Sequence, residues 1–257
     1  MSDRIQRTED VVQRLFGRPS NSGNGPDPEF WQILQRYLFG DLYHVGPLSD
    51  RLRELVGVTA LTVLGQAPQL RIHTATAMAA GATPVEIREA VYQCAPFIGF
   101  PAALNAISAM NAAFEDAGIE LPLPDQGQVT EENRYDKGAE EQAPLYGTRI
   151  ADRYTWLPGE YAEFVPRILT EFGFGDFATR AGLPTKEREM LILVALMALG
   201  DTPLQIASHF DGGRKAGNSD EELIAALIHA SAYCGIPRVF NALNIVRPLV
   251  EGQPLDQ

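Results

Sequence analysis

Cysteine and histidine are scarce in this chain, with two of the first, Cys94 and Cys234, and four of the second. Two widely separated cysteines make neither a disulfide framework nor a Cys-x-x-Cys metal knuckle. Their apolar helical context is that of inert thiols. Basic residues are also in short supply: 21 Lys and Arg stand against 33 Asp and Glu, a formal net charge of -12. With no basic surplus to neutralise phosphates, nucleic acid is not an expected partner. A small anionic substrate stays possible, because a few local arginines can set the sign of one pocket. Long apolar runs are missing too. The longest, "LILVALMALG" at 191–200, is about half of the roughly 20 residues a bilayer crossing needs, so no membrane partner is expected. The opening "MSDRIQRTEDVVQRLFG" is charged throughout and does not read as a secretory leader, which makes a reduced, cytoplasmic setting the expectation. Neither a Gly-x-Ser-x-Gly nucleophile elbow nor a P-loop is present, since "DGGRKAG" at 211–217 falls inside a helical pattern.

What the sequence does contain is a repeat. "FGDLYHVGPLSDRLREL" at 39–55 aligns with "FGDFATRAGLPTKEREM" at 174–190, an offset of 135. Phe39, Gly40, Asp41, Leu48, Arg53 and Glu54 find identical residues in Phe174, Gly175, Asp176, Leu183, Arg188 and Glu189. Gly65 and Pro68 match Gly200 and Pro203. One residue is then gained, and at an offset of 136 His73, Gly81, Glu86, Gly99, Pro101 and Asn105 match His209, Gly217, Glu222, Gly235, Pro237 and Asn241. An ordered series with one single-residue gap indicates duplication. Between the copies, 121–144 is polar and rich in Gly and Pro and reads as a linker. The expected organisation is a first module at 1–120, the linker, and a second module at 145–257.

Both copies read as all-α. Thr83-Pro84-Val85-Glu86 and Ser219-Asp220-Glu221-Glu222 are capping boxes, the first with proline at the opening helical position. Apolar residues follow at helical spacing: Val85, Ile87, Val91 and Ala95, then Leu223, Ala226, Leu227 and Ala230. Gly81 and Gly217 mark helix ends, and Gly99-x-Pro101 and Gly235-x-Pro237 mark a stop and restart. Ser49 and Thr185 read as N-caps of helices reaching about Leu64 and Leu199. The apolar 190–199 segment needs cover on nearly every side.

Candidate chemistry gathers in the second copy. His209 lies nine residues before the turn at Asn218 and His229 eleven after it. If these helices pack antiparallel, a rise of about 1.5 Å per residue puts the two rings within roughly 3 Å of level. An interaxial distance of about 8–10 Å would let them meet around one small ligand. Glu189, opening the preceding helix, could reach the same space, and two imidazoles with a carboxylate suffice for proton transfer near neutral pH. Against this, a helical histidine is commonly a satisfied core or surface residue. Glu54 and Glu189 also suit the first turn of a helix on dipole grounds alone. A metal site is not expected, because the histidines are not at ligand spacing and no cysteine flanks them.

The Arg-Glu opening, the histidine eight residues before the glycine, the Glu after the cap and the closing Tyr/Phe-x-Gly-x-Pro resemble the carboxymuconolactone decarboxylase family. They do so in both copies, more closely in "REMLILVALMALGDTPLQIASHFDGGRKAGNSDEELIAALIHASAYCGIPRVFNA". The resemblance implies an all-α fold shared with alkylhydroperoxidase-D-type proteins. It also implies a cofactor-independent lyase that removes CO2 from a small carboxylated lactone. On it, His209 and His229 are the proton-transfer pair and Glu189 orients one of them. Arg188, Arg214 and Arg238 are expected to hold anionic oxygens, and Tyr233 to line the pocket. The first copy departs from the pattern, with Gln93 in place of the histidine, Pro96 near the end of its helix and Phe97 in place of Tyr233. It reads either as a degenerate partner, the favoured account, or as a second site using Glu54 and His73. An antioxidant of the alkylhydroperoxidase type is a poor alternative, because Gln66 and Gln69 stand where its Cys-x-x-Cys would be and disulfide exchange lacks a nucleophile. A non-catalytic ligand-binding protein is the other alternative. Relatives with one module form rings of even module number, so a homotrimer of fused pairs is expected.

Overall fold

Each capping box of the sequence is closed in the structure, and helix starts and stops therefore fall where the local chemistry places them. The computed structural model describes residues 3–20, 26–147 and 150–253. Its elements are α1 (Asp3–Phe16), α2 (Pro28–Gln35), α3 (Asp50–Val63), α4 (Ala67–Ala79), α5 (Pro84–Tyr92), α6 (Ala95–Ile98) and α7 (Phe100–Asp116). After them come α8 (Arg134–Tyr146), α9 (Tyr161–Ile168), α10 (Thr185–Leu199), α11 (Pro203–Lys215), α12 (Asp220–His229), α13 (Ser231–Cys234) and α14 (Ile236–Val250). No strand occurs among the described residues, and none of the described helices is long and apolar enough to cross a membrane. α2 and α9 each run on into a π-helical stretch, Arg36–Asp41 and Leu169–Ala178.

The Thr83 and Ser219 side chains accept from the amides of Glu86 and Glu222, whose carboxylates return to the cap amides. Ser49 caps α3 by accepting from the Leu52 amide. Thr185 does not cap α10: Pro184 holds that position and Thr185 is the first helical residue. Gly81 and Gly217 end α4 and α11 with φ of +94° and +98°, a conformation that Cβ-bearing residues resist.

The stretch at 121–144 is more than a linker, because it carries most of α8. α8 is the second copy of α1, shifted to an offset of 130, and the repeated Phe-Gly-Asp shows why. A Cβ on Gly40 would come within 2.9 Å of the Arg4 carbonyl of α1, and Gly175 meets the Arg134 carbonyl of α8 in the same way. The next residue is an acid in both copies and takes the arginine at the start of that helix: Arg4–Asp41 at 2.5 Å and Arg134–Asp176 at 2.7 Å. Polar composition hid this helix, since what seats it is backbone approach rather than an apolar stripe.

One core joins the copies. α10 is buried along nearly its whole length and packs on α3, α11, α12 and α14, while α3 also touches α12 and α13. The module boundary therefore runs through the protein interior, and the ends of α12 and α5 are brought to the opposite module.

Candidate active site

The Arg-Glu doublet that opens α3 and α10 splits its two residues between structure and chemistry. Arg53, 1% exposed, spreads its guanidinium over the loop before α3. It donates to the carbonyls of Leu42 (2.9 Å), Val45 (2.8 Å), Gly46 (3.1 Å) and Leu48 (3.1 Å). Arg188 does the same at matched positions, to Arg180 (2.7 Å), Ala181 (3.1 Å) and Leu183 (3.2 Å), and adds the Glu89 carboxylate at 3.2 Å. The glutamate one step on turns inward in each copy.

In the first module Glu54 is fully buried, accepts from the Tyr43 hydroxyl and lies 2.9 Å from His73 Nδ1. In the second, Glu189 accepts from the Tyr146 hydroxyl and lies 2.9 Å from His209 Nδ1. A carboxylate only accepts, so Nδ1 of His73 carries the proton and its Nε2 is presented outward, whereas His209 Nδ1 lies 2.6 Å from the Tyr146 hydroxyl as well as 2.9 Å from Glu189, and the three groups form one cluster. Burial, then the adjacent carboxylate, pushes both phenols far above their ordinary range, so each stays a donor.

The two tyrosines come from different places in the repeat. Tyr43 aligns with Ala178, and Tyr146, at the end of α8, aligns with Phe16 at the end of α1. Phe16 packs edge-on to Phe39, and Tyr146 packs against Phe174, the counterpart of Phe39, at 5.7 Å. The hydroxyl has moved between helices while its target stayed put. A Cβ on Gly212 would lie 2.8 Å from Tyr146 Cζ, so that glycine makes the room. Extending the repeat upstream with a shifted offset is the one sequence signal that could have found Tyr146.

His229 is not brought to His209. The expected level pairing across α11 and α12 fails because α12 turns that face toward the first module. There His229 packs edge-on to Tyr43 at 5.2 Å and sits 3.5 Å from the Arg53 guanidinium. Tyr233, one turn on, packs edge-on to His73 at 5.1 Å and rests against Gly57, where a Cβ would fall 2.7 Å from its Cζ. The reciprocal crossing also occurs. Phe97 of the first module, the counterpart of Tyr233, lies edge-on to His209 at 6.2 Å, and Gln93 is the counterpart of His229. Burial, then the Arg53 and His73 charges, pushes His229 down to about 3, so its ring is neutral at ordinary pH.

Several buried polar atoms here lack a protein partner: His229 Nε2 and the Tyr233 hydroxyl on one side, both amide atoms of Gln93 and Arg188 Nη1 on the other. Such a group costs about 1–3 kcal/mol when left unsatisfied, and its persistence calls for a ligand or water.

Of the three arginines expected to hold anions, Arg188 ties its loop and Glu89 through Nε and Nη2 and keeps Nη1 buried without a protein partner, and the other two are engaged. Arg214 forks onto Asp220 at 2.5 and 2.6 Å and reaches the Leu249 carbonyl. Arg238 donates to the Ala198 carbonyl. None is placed on a Glu–His pair. Both thiols are free, and burial pushes Cys94 up to about 12 and Cys234 up to about 11, far from the thiolate that peroxide chemistry requires. Among the described residues no group of three His, Cys, Asp or Glu side chains is arranged to hold a metal ion. A groove of about 250 Å³ between α8 and α9, lined by Tyr135, Gln142 and Arg167, lies away from both pairs.

An all-α chain built twice, with one buried Glu–His–Tyr constellation per copy, matches one family. The carboxymuconolactone decarboxylase family model fits residues 28–112 and again 165–248, and the chain belongs to that family. It is 27% identical over 113 residues to the 4-carboxymuconolactone decarboxylase of Acinetobacter baylyi, covering 44% of this chain and 84% of that one. It is 23% identical over 116 residues to a nitrosuccinic acid decarboxylase of Metarhizium robertsii, covering 45% and 80%. Among solved structures, a protein described as a gamma-carboxymuconolactone decarboxylase subunit from Burkholderia xenovorans superposes with a TM-score of 0.54 at 20% identity, over 96% of this chain and 97% of that one. That likeness concerns the fold. The chain thus belongs to a decarboxylase-type family, and its substrate is left open.

Proposed function

We propose that the protein is a cofactor-independent lyase acting on a small carboxylated lactone or closely related acid, with the Glu–His pairs moving the proton. The observation that carries this is that both modules hold a histidine Nδ1 2.9 Å from a buried glutamate, with a tyrosine hydroxyl on the same carboxylate. Glu54 and Glu189 orient the rings of His73 and His209 and leave Nε2 to meet substrate. In the reaction the bond from carbon to carboxylate breaks, CO2 leaves, and its electron pair passes into the conjugated lactone carbonyl. The histidine, protonated from solvent, then delivers one proton to carbon. The substrate supplies its own electron sink, so donors on the lactone oxygen suffice to stabilise the charge that develops.

The test is proton NMR of the purified protein with 4-carboxymuconolactone and a panel of carboxylated lactones, without added metal or thiol. The decarboxylated product is expected from the wild type and not from the His73→Ala/His209→Ala double variant. Full turnover by the double variant would show that neither pair moves the proton.

The chain is further proposed to form a homotrimer. Phe100 and Leu104 on α7 are exposed by 58% and 62%, and their repeat counterparts Ile236 and Phe240 on α14 by 49% and 61%, a matched pair of apolar faces suited to a closed ring. Light scattering is expected to give the mass of three chains, and a mass near one chain counts against it.

A further inference from the structure

We infer that the two Glu–His pairs are unequal: the first-module site, completed across the module boundary by His229 and Tyr233, is the one that binds and turns over a carboxylated substrate. Five side chains define it, Tyr43, Glu54 and His73 from one module and His229 and Tyr233 from the other. The turnover part rests on the lyase reading above, while the binding part does not.

Three observations separate the sites. First, the crossing residues differ in chemistry. The first site receives an imidazole and a phenol, whose Nε2 and hydroxyl are buried without a protein partner, where the second holds the two amide atoms of Gln93 and Arg188 Nη1 in that condition. The second receives an amide and a phenyl ring, Gln93 and Phe97, which cannot supply the same two groups. Second, the charge behind each site differs. Every hydrogen bond given by Arg53 to an oxygen goes to a backbone carbonyl, and its Nη1 lies 3.5 Å from His229 Nδ1. Arg188, its counterpart, shares the Glu89 carboxylate with Arg88 and Arg180. Behind the first site's imidazole thus stands a guanidinium with no carboxylate on its fork, whereas Arg188 shares one. Third, Gly57 is what lets Tyr233 reach in, and Ile192 stands at the matching place on α10.

His229 Nδ1 lies close to both the Arg53 guanidinium and the Leu42 carbonyl. An anionic oxygen arriving at Nε2 selects the tautomer with its proton on Nε2 and leaves Nδ1 to accept from Arg53. The imidazole and the Tyr233 hydroxyl then form a pair of neutral donors on the carboxylate or lactone oxygen, while His73 handles the proton.

The histidines number four, His44, His73, His209 and His229, so 15N-histidine NMR of the full chain resolves each, with assignment by single substitution. The probe is 5-oxotetrahydrofuran-2-carboxylate, a saturated lactone carboxylate without the conjugation that decarboxylation requires. Expected on titration is displacement of the His73 and His229 ring signals, a shift of His229 to the Nε2–H tautomer, and little change at His209. In parallel, His229→Gln and Tyr233→Phe, which install the residues found at Gln93 and Phe97, are expected to weaken probe binding roughly tenfold or more with unchanged melting curves at neutral pH. Unmoved His229 signals overturn the inference, as does displacement confined to His209. Turnover that is lost in His209→Ala and kept in His73→Ala also overturns it and leaves the lyase reading intact. Binding at His73 and His229 with no decarboxylation of any panel member does the reverse.

Discussion

The two modules keep the same carboxylate and imidazole in the same place, yet almost everything around that pair has been exchanged. The tyrosine on Glu54 comes from the turn after the π-helix, and the one on Glu189 from the end of α8. The arginine behind Glu54 meets no carboxylate, and the one behind Glu189 is drawn into an ion cluster with Glu89. His229 and Tyr233 reach the first site, Gln93 and Phe97 the second. Duplication keeps the Glu–His pair, while the groups that reach it from the other module have diverged.

Substitutions that treat the two sites alike ought to give unlike results. The sharpest contrast is between His73→Ala and His209→Ala. The first is expected to lower kcat/KM for the carboxylated lactone by about a thousandfold, and the second to leave it within about threefold, as steady-state kinetics would show. Equal losses would erase the distinction.

Next in size come the buried arginines. Arg53→Met strands several loop carbonyls and should cost about 3 kcal/mol or more in urea unfolding. Arg188→Met, which also takes a cation from Glu89, is expected to cost more. A loss below about 1 kcal/mol in either would mean that the loop does not depend on its guanidinium.

Making the first site resemble the second is a milder change. His229→Gln and Tyr233→Phe should each reduce kcat/KM by roughly tenfold to a hundredfold, the range for losing one preorganised donor. The reciprocal pair, Gln93→His with Phe97→Tyr, should raise whatever activity survives in His73→Ala.

The smallest effect, taken per pH unit, is on stability. His229 is held at about 3 in the folded chain against 6.5 ordinarily, so between those values the unfolded chain binds the additional proton. Its contribution is therefore complete above pH 6.5 and is lost as the pH falls toward 3, at up to about 1.4 kcal/mol per pH unit. His229→Gln should flatten that part of the stability profile, and an unaltered slope would show that the ring is not buried as a neutral group.

Much of this could be read from residues alone. The duplication, the capping boxes, the glycine stops and the convergence of Glu189 with His209 follow from spacing, because helical period and cap chemistry act over a few residues. Two features could not be read in that way. α8 is seated by glycines and one ion pair, so its polar sequence looked like a linker. Spacing pairs His229 with His209 because helix pitch fixes how far along α12 it lies but not which way the helix faces; that rotation is set by Gly46 packing on Ala225 and by Tyr233 meeting Gly57. Nor does Tyr146 share an aligned column with Tyr43, since a hydroxyl can arrive at the same carboxylate from another helix.

The crossing of side chains between modules has a consequence for biosynthesis. A chain that has left the ribosome as far as α8 already holds Glu54, His73 and Tyr43, but the imidazole and phenol that close over them have not yet been made. On the inference above, competence at that site arrives only when α12 and α13 dock, so a molecule truncated before α12 is expected to stay silent.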